Sequence, residues 1–346
     1  MKDVHTTKSE SSFGKKLWCV LIVVFLGVIG WQMRELHLYN AAVREAKEAG
    51  FEWKCDDALS LIRQDWHNAL KKETWGAHPR FLDMREVPDL GRYREMLHHL
   101  RPTELIAWGC KDEKLDALKG LVGLQTLDLR YSPALQNVDA LKGFTGLQRL
   151  YLSSCTALQN LDALKGLTAL QTLNLDGCPA LQNVDVLKGL TALQTLDLGG
   201  CDALQNVDAL KGLTALQTLN LTGCTVLQNV DALKGLTALQ TLYLQGCDAL
   251  QNVDALKGLT TLQTLWLAGC TALQNVDGLK GLTGLQTLVL YECPALQNVD
   301  ILKGLTALQS IELYSTKIPA AALRELSAAL PKTDITFFNG TPNPPQ

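Results

Sequence analysis

No histidine occurs beyond His99 in this chain of 346 residues, and none of its ten cysteines stands in a C-x-x-C pair. The first absence takes the commonest general base out of everything after residue 99. The second excludes a zinc ribbon and a dithiol redox motif. There is no large excess of either charge: 32 Lys+Arg face 35 Asp+Glu, for a net charge of -3. Residues 1–103 carry 16 basic and 14 acidic side chains, and the remainder 16 and 21. Binding driven by nucleic-acid phosphates is therefore not expected. No lipidation box is found. The 47% hydrophobic content excludes a largely disordered chain.

One long apolar run is present. Residues 17–33 read LWCVLIVVFLGVIGWQM, without a charge, between Lys15–Lys16 and Arg34. As a helix this run reaches about 25 Å, at the short end of what a bilayer core needs. Lysine stems extend that reach, and Trp18 and Trp31 sit near its ends, as interfacial aromatics do. The preferred reading is an uncleaved transmembrane signal anchor. A signal peptide cleaved near Val28-x-Gly30, followed by secretion, and a buried soluble helix are the alternatives. Lys2, Lys8, Lys15 and Lys16 precede the run, against Arg34, Arg44 and Lys47 after it. The bias places residues 1–16 in the cytoplasm as a tail and exports the rest, to the periplasm or cell surface.

Residues 34–79 read as a charged connector, helical in pieces. Asp56 or Asp57 can cap a helix through ALSLIRQDWHNALKK, with Leu59, Leu61, Ile62, Trp66 and Leu70 on one face. Trp53, Trp66 and Trp75 read as a small pack against the next domain. His67 and His78 have no metal-like partner at i+3 or i+4, so they are read as structural.

From Leu124 the chain repeats itself every 23 residues. One unit, Leu213 to Gly235, is LTALQTLNLTGCTVLQNVDALKG, and Cys155, Cys178, Cys201, Cys224, Cys247, Cys270 and Cys293 mark the period. In T-L-N-L, Leu219 and Leu221 fall on one face and Thr218 and Asn220 on the other, as a strand requires. About eight apolar side chains per unit point inward. Their burial does not offset the entropy of ordering a whole unit, so one unit cannot fold alone, whereas stacked units can. The pattern L-x-x-L-x-L-x-x-C-x-x-L, as in Leu216, Leu219, Leu221, Cys224 and Leu227, resembles the leucine-rich repeat superfamily, in the variant with cysteine where asparagine is commoner. The near-identical units look most like bacterial surface or exported repeat proteins. Plant resistance-receptor repeats share the GC-x-x-L flavour and match less well. The resemblance covers about residues 80–338 and is specific for fold, not for function.

The predicted fold is α/β: a leucine-rich repeat solenoid with one curved parallel sheet of about 12 strands. Its convex side is short 3-10 or single-turn helix, its caps are helical, and an N-terminal transmembrane helix precedes it. In the first cap, Phe81-Leu82-Asp83 reads as a strand, Asp89–Leu100 as a helix, and Leu105-Ile106-Ala107 as a strand in a unit one residue short. At the far end Pro319 opens a helix to about Leu330, and Ile335-Thr336-Phe337 is the last strand before a flexible tail, 339–346.

The cysteines would stack ~4.8 Å apart, a distance that by itself permits disulfides. Parallel inward side chains do not offer the required dihedral, and seven is odd, so the reading is reduced, buried thiols bonded weakly to loop backbone. A metal needs converging ligands, which a line does not provide. Ser132 and Thr316 take the cysteine position in the terminal units, as expected where water enters a fraying ladder. Cys55 and Cys110 could pair if exported. Asp and Lys recur three apart, as at Asp208/Lys211, and read as a solvated rim with mutually offset charge rows. No metal or cofactor is expected.

The units differ mainly in two outward columns of the strand. One reads Asp128, Tyr151, Asn174, Asp197, Asn220, Tyr243, Trp266, Val289, Glu312; the other reads Arg130, Ser153, Asp176, Gly199, Thr222, Gln245, Ala268, Tyr291, Tyr314. Both are expected on the concave side. The candidate ligand-binding residues are Tyr151, Tyr243, Trp266, Tyr291, Tyr314, Asp128, Arg130, Asp176, Asp197 and Glu312, with the aromatics of the C-terminal half as anchors. The expected function is a membrane-anchored, non-catalytic scaffold that recognises a protein or cell-surface ligand. The alternative is a structural or self-associating envelope protein. Catalysis would have to use the connector or first cap near His98 and His99, because the repeated cysteine has no adjacent base.

Overall fold

The computed structural model describes residues 52–54, 81–84 and 90–337. The apolar run 17–33, nearly all of the connector, Cys55 and the tail lie outside the described residues. Among the described residues no helix is long and apolar enough to cross a membrane.

Every unit contributes one three-residue strand to a single sheet. The cap strands are β1 (Glu52–Lys54), β2 (Phe81–Asp83) and β3 (Glu104–Ile106). The array supplies β4 (Thr126–Asp128), β5 (Arg149–Tyr151), β6 (Thr172–Asn174), β7 (Thr195–Asp197), β8 (Thr218–Asn220), β9 (Thr241–Tyr243), β10 (Thr264–Trp266), β11 (Thr287–Val289) and β12 (Ser310–Glu312), and β13 (Asp334–Thr336) closes it. The order follows the chain. From β2 to β13 all twelve strands are parallel, as predicted. β1 adds an antiparallel edge, Trp53 opposite Leu82, which the sequence reading did not place within the helical connector.

The cap elements lie within one residue of their predicted places. β3 begins at Glu104 and pairs with Thr126, confirming the short unit, and β13 begins one residue before Ile335. The first cap helix opens as a 3-10 turn, Leu90–Tyr93, and continues as α1 (Arg94–Leu100). A single turn, α2 (Asp112–Leu115), follows β3, and α3 (Ala320–Ala329) is capped by Pro319 in extended backbone. On the convex side each unit makes one 3-10 turn, such as Asp208–Leu210. The asparagine two residues earlier opens it: Asp208 N donates to Asn206 Oδ1 at 3.3 Å, and the 162 and 185 amides do the same to Asn160 and Asn183 at 2.7 and 2.6 Å. This bond gives the recurring N-x-D its structural reason, since the side chain supplies an acceptor where the turn has none.

Leucines fill the interior between sheet and turns. Leu216, Leu219, Leu221, Leu227 and Leu233 are all fully buried. Across units the backbone is tied twice on the strand's leading side: Gln148 O accepts from Gln171 N at 2.8 Å and from Thr172 N at 3.0 Å.

The cysteine ladder joins neighbouring units. Each thiol donates to the carbonyl of a leucine in the unit before it: Cys178 Sγ to Leu152 O at 3.3 Å, Cys224 to Leu198 at 3.4 Å, Cys270 to Leu244 at 3.1 Å. All seven are buried, free thiols. Desolvation pushes them up, to about 11 at Cys155 and Cys293 and about 12 at Cys178, Cys224 and Cys270. Cys110 is buried as well, its thiol donating to Ala107 O at 3.2 Å. Ser132 and Thr316 correct the fraying expectation. They are only 0% and 7% exposed, and each hydroxyl donates to a carbonyl of its own unit, Leu129 O at 2.6 Å and Leu313 O at 2.8 Å. The two hydroxyls and Cys110 each reach a carbonyl of their own turn, three residues back; the seven repeated thiols bond to the unit before.

Candidate binding surface on the concave face

Side chains at alternate strand positions leave the sheet on the side opposite the leucines. Each unit therefore lends the concave face three of them: Thr218, Asn220 and Thr222 in the unit that begins β8. Parallel in-register pairing puts the same position of neighbouring units side by side, Tyr243 beside Trp266 and Val289 beside Glu312. All ten residues singled out from the sequence occupy these columns, and the structure gathers them into three groups.

The C-terminal group is aromatic. Tyr243 and Trp266 meet edge to face, centroids 5.6 Å apart at 78°, and Tyr291 and Tyr314 stack at 4.5 Å and 6°. The rings are half-buried, because each covers its neighbour. The Trp266 indole N–H is buried and finds no hydrogen-bond acceptor among the described residues. Glu312 is half-buried in the column beside these rings, and Glu292 follows Tyr291, its amide donating to Tyr314 O at 3.0 Å. Desolvation, then Tyr291 and the two carboxylates, raise the Tyr314 phenol above its ordinary range.

The central group is polar. Asp197 accepts from Gly199 N at 3.0 Å and from the side-chain amides of Asn220 at 2.9 Å and Asn174 at 3.3 Å. Desolvation raises its carboxyl, with exposed Asp176 adding in the same direction. Gly199 leaves the floor open between them: a Cβ there would stand 2.7 Å from Asp176 Oδ1.

The N-terminal group is built around Arg130. Its Nε lies 3.0 Å from both Asp128 carboxylate oxygens and its Nη2 2.7 Å from Oδ2, while Asp128 itself is only 4% exposed. The guanidinium lies 5.3 Å from the ring centre of Trp108 and 5.7 Å from that of Tyr151. Tyr131 packs edge-on against Trp108 at 5.0 Å. The sequence columns missed Trp108 and Tyr131. Trp108 stands 22 residues before Arg130, so a strict 23-residue count lands on Ala107. Tyr131 takes the position that central units give to glycine before cysteine, and has φ 56°.

Among the described residues no three His, Cys, Asp or Glu side chains converge as metal ligands. The Asp–Lys rim closes into ion pairs at a few units, as at Lys188–Asp185 (2.8 Å), and these pairs are well exposed.

A family model described as a BspA type leucine rich repeat region matches residues 198–318 in six copies. A second, the endo-beta-N-acetylglucosaminidase EndoS LRR domain, matches residues 124–211. No curated protein matches the chain. Among solved structures, the chain is similar to an internalin (inlF) of Listeria monocytogenes: identity 19%, TM-score 0.42, 70% of this chain and 84% of that one. An internalin C2 of the same species gives 21%, 0.42, 71% and 84%. The Toll–Spätzle complex of Drosophila gives 15%, 0.49, 75% and 43%. The 23-residue period, one parallel strand per unit and the two family matches, which together span residues 124–318, agree, and the chain belongs to the leucine-rich repeat superfamily, with the BspA type matched over residues 198–318.

Proposed function

We propose that this chain is a non-catalytic recognition scaffold that binds a protein or cell-surface ligand through its concave face. Leucine-rich repeat solenoids offer extended concave surfaces for binding. One observation carries the reading here. The repeats are nearly copies in their core and differ mainly in the outward columns, and there Tyr243, Trp266, Tyr291 and Tyr314 gather in two ring pairs at 5.6 and 4.5 Å. Rigid, half-buried Tyr and Trp side chains are the usual anchors of protein interfaces.

In this reading residues 17–33 anchor the chain, 1–16 stay in the cytoplasm, and the array stands outside the cytoplasm on the connector 34–79. The uncharged run and the lysines before it support the placement. Protease treatment of intact cells tests it: the array is digested if exported and survives if cytoplasmic. Pull-down with the full chain tests the surface. Trp266→Ala with Tyr291→Ala abolishes partner recovery if the reading holds, and unchanged recovery overturns it.

The alternative, a self-associating envelope protein, is favoured by the outer edge of β13, where Asp334 and Thr336 are exposed and the sheet ends. Light scattering that rises with concentration would support it.

A further inference from the structure

We propose that the C-terminal half of the concave face binds a basic segment of a protein partner, with an arginine or lysine side chain seated against the Trp266 and Tyr291–Tyr314 rings beside Glu292 and Glu312. This rests on the concave-face reading and names the chemistry of the partner.

Charge on that face supports the inference. From β4 to β12 the outward columns hold two cations, and the chain's own carboxylates face both. Arg130 is bound to Asp128 at 2.7 Å, and Arg149 lies 3.7 Å from Glu104. Among the described residues no ion pair reaches Asp176, Asp197, Glu292 or Glu312. The concave face therefore presents uncompensated negative charge, whereas the convex rim alternates Asp with Lys and is locally balanced. The potential favours a positive partner and disfavours a negative one.

The N-terminal group shows what such a partner would find. There the chain places its own guanidinium between Trp108 and Tyr151, against a buried carboxylate. The C-terminal group has the same parts, rings with Glu312 on β12 and with Glu292 in the turn after β11, both close enough to act on Tyr314, without the cation. Electron-rich ring faces and carboxylates both attract a cation, and a guanidinium uses both at once. Asp176 and Asp197, further along the groove, lie where a second basic side chain of an extended segment would fall.

The test uses the full chain in detergent and two fluorescein-labelled decapeptides, alternating Arg–Gly and alternating Glu–Gly, read by anisotropy. The expected result is binding of the Arg peptide alone, weakening with salt and falling about tenfold in Glu292→Gln/Glu312→Gln. The convex control Asp208→Asn/Asp231→Asn should leave it unchanged, with thermal melts confirming that all variants are folded. Equal binding of the Glu peptide, or equal behaviour of the concave and convex variants, overturns the inference. The pull-down separates it from the broader reading. If Trp266→Ala/Tyr291→Ala loses the partner while Glu292→Gln/Glu312→Gln keeps it, concave recognition stands and the basic partner falls. If neither variant loses the partner, both fall.

Discussion

Tyr291 and Tyr314, from neighbouring units, lie ring on ring with their planes 6° apart. In a parallel sheet whose strands pair in register, two residues in one column can hardly avoid contact, and two tyrosines in a column become a rigid plate. Each ring restrains the other, so less side-chain entropy is lost when a ligand covers them. Replacing Tyr314 alone by Ala is therefore expected to weaken partner binding several-fold, through loosening of Tyr291, with little loss of stability. Titration calorimetry against a captured partner checks this; undiminished affinity would mean that the plate is not part of the contact.

The thiol ladder sets an alkaline limit. Burial raises the folded thiols well above their unfolded value, to about 11 at the ends of the ladder and about 12 at Cys178, Cys224 and Cys270. Between the unfolded and the folded values the unfolded chain releases protons that the folded chain keeps, so unfolding becomes easier as pH rises. The stabilisation is complete below about pH 9 and is lost progressively above it. Urea midpoints measured from pH 8 to 11 are expected to fall, less so in Cys201→Ala/Cys224→Ala. In the folded chain at pH 8 the seven thiols should not react with a thiol reagent until denaturant is added.

Leu219 is fully buried. Its replacement by Ala is expected to cost about 2–5 kcal/mol, because the stacked units cannot collapse into the cavity. The loss should spread to the units on either side, which share the same core. Hydrogen exchange of the β7 and β9 amides reads that spread; protection lost in β8 alone would contradict it.

Gly223 has φ +73°, and a Cβ there would find its nearest atoms at 3.6 Å, so space does not forbid a side chain. Gly223→Ala is thus a test of backbone conformation alone, expected to cost about 1 kcal/mol in a chemical melt. Tyr131 accepts a similar strain at φ 56° and gains the Trp108 contact in return. On the convex side, Asn206→Ala removes the acceptor for Asp208 N and should cost about 1 kcal/mol.

The strand register was legible in the sequence because two periods agree: alternation within T-L-N-L and the 23-residue repeat across units. Once the register is known, the columns follow, and with them the grouping of Tyr243, Trp266, Tyr291 and Tyr314. What did not follow was set by local departures or distant partners. Trp108 was hidden by the one-residue shortening of its unit. Asp128 and Arg130 were both singled out, yet their pairing depends on how deeply Asp128 is buried. β1 carries only Glu-Trp-Lys, and its strand character comes from the β2 edge that it meets. Ser132 read as the ladder's end, but the same one-residue shortening hid Cys110, the buried position beyond it, whose amide donates to Ser132 Oγ at 2.9 Å.

The recognition surface is tested most directly by photo-crosslinking in cells. A benzophenone amino acid at Gln245, on the concave face between the central and aromatic groups, is compared with one at Gln228, exposed away from it. A discrete crosslinked species from position 245 and none from 228 is the expected result. Crosslinks from 228 with none from 245 would place the contact surface elsewhere and contradict it.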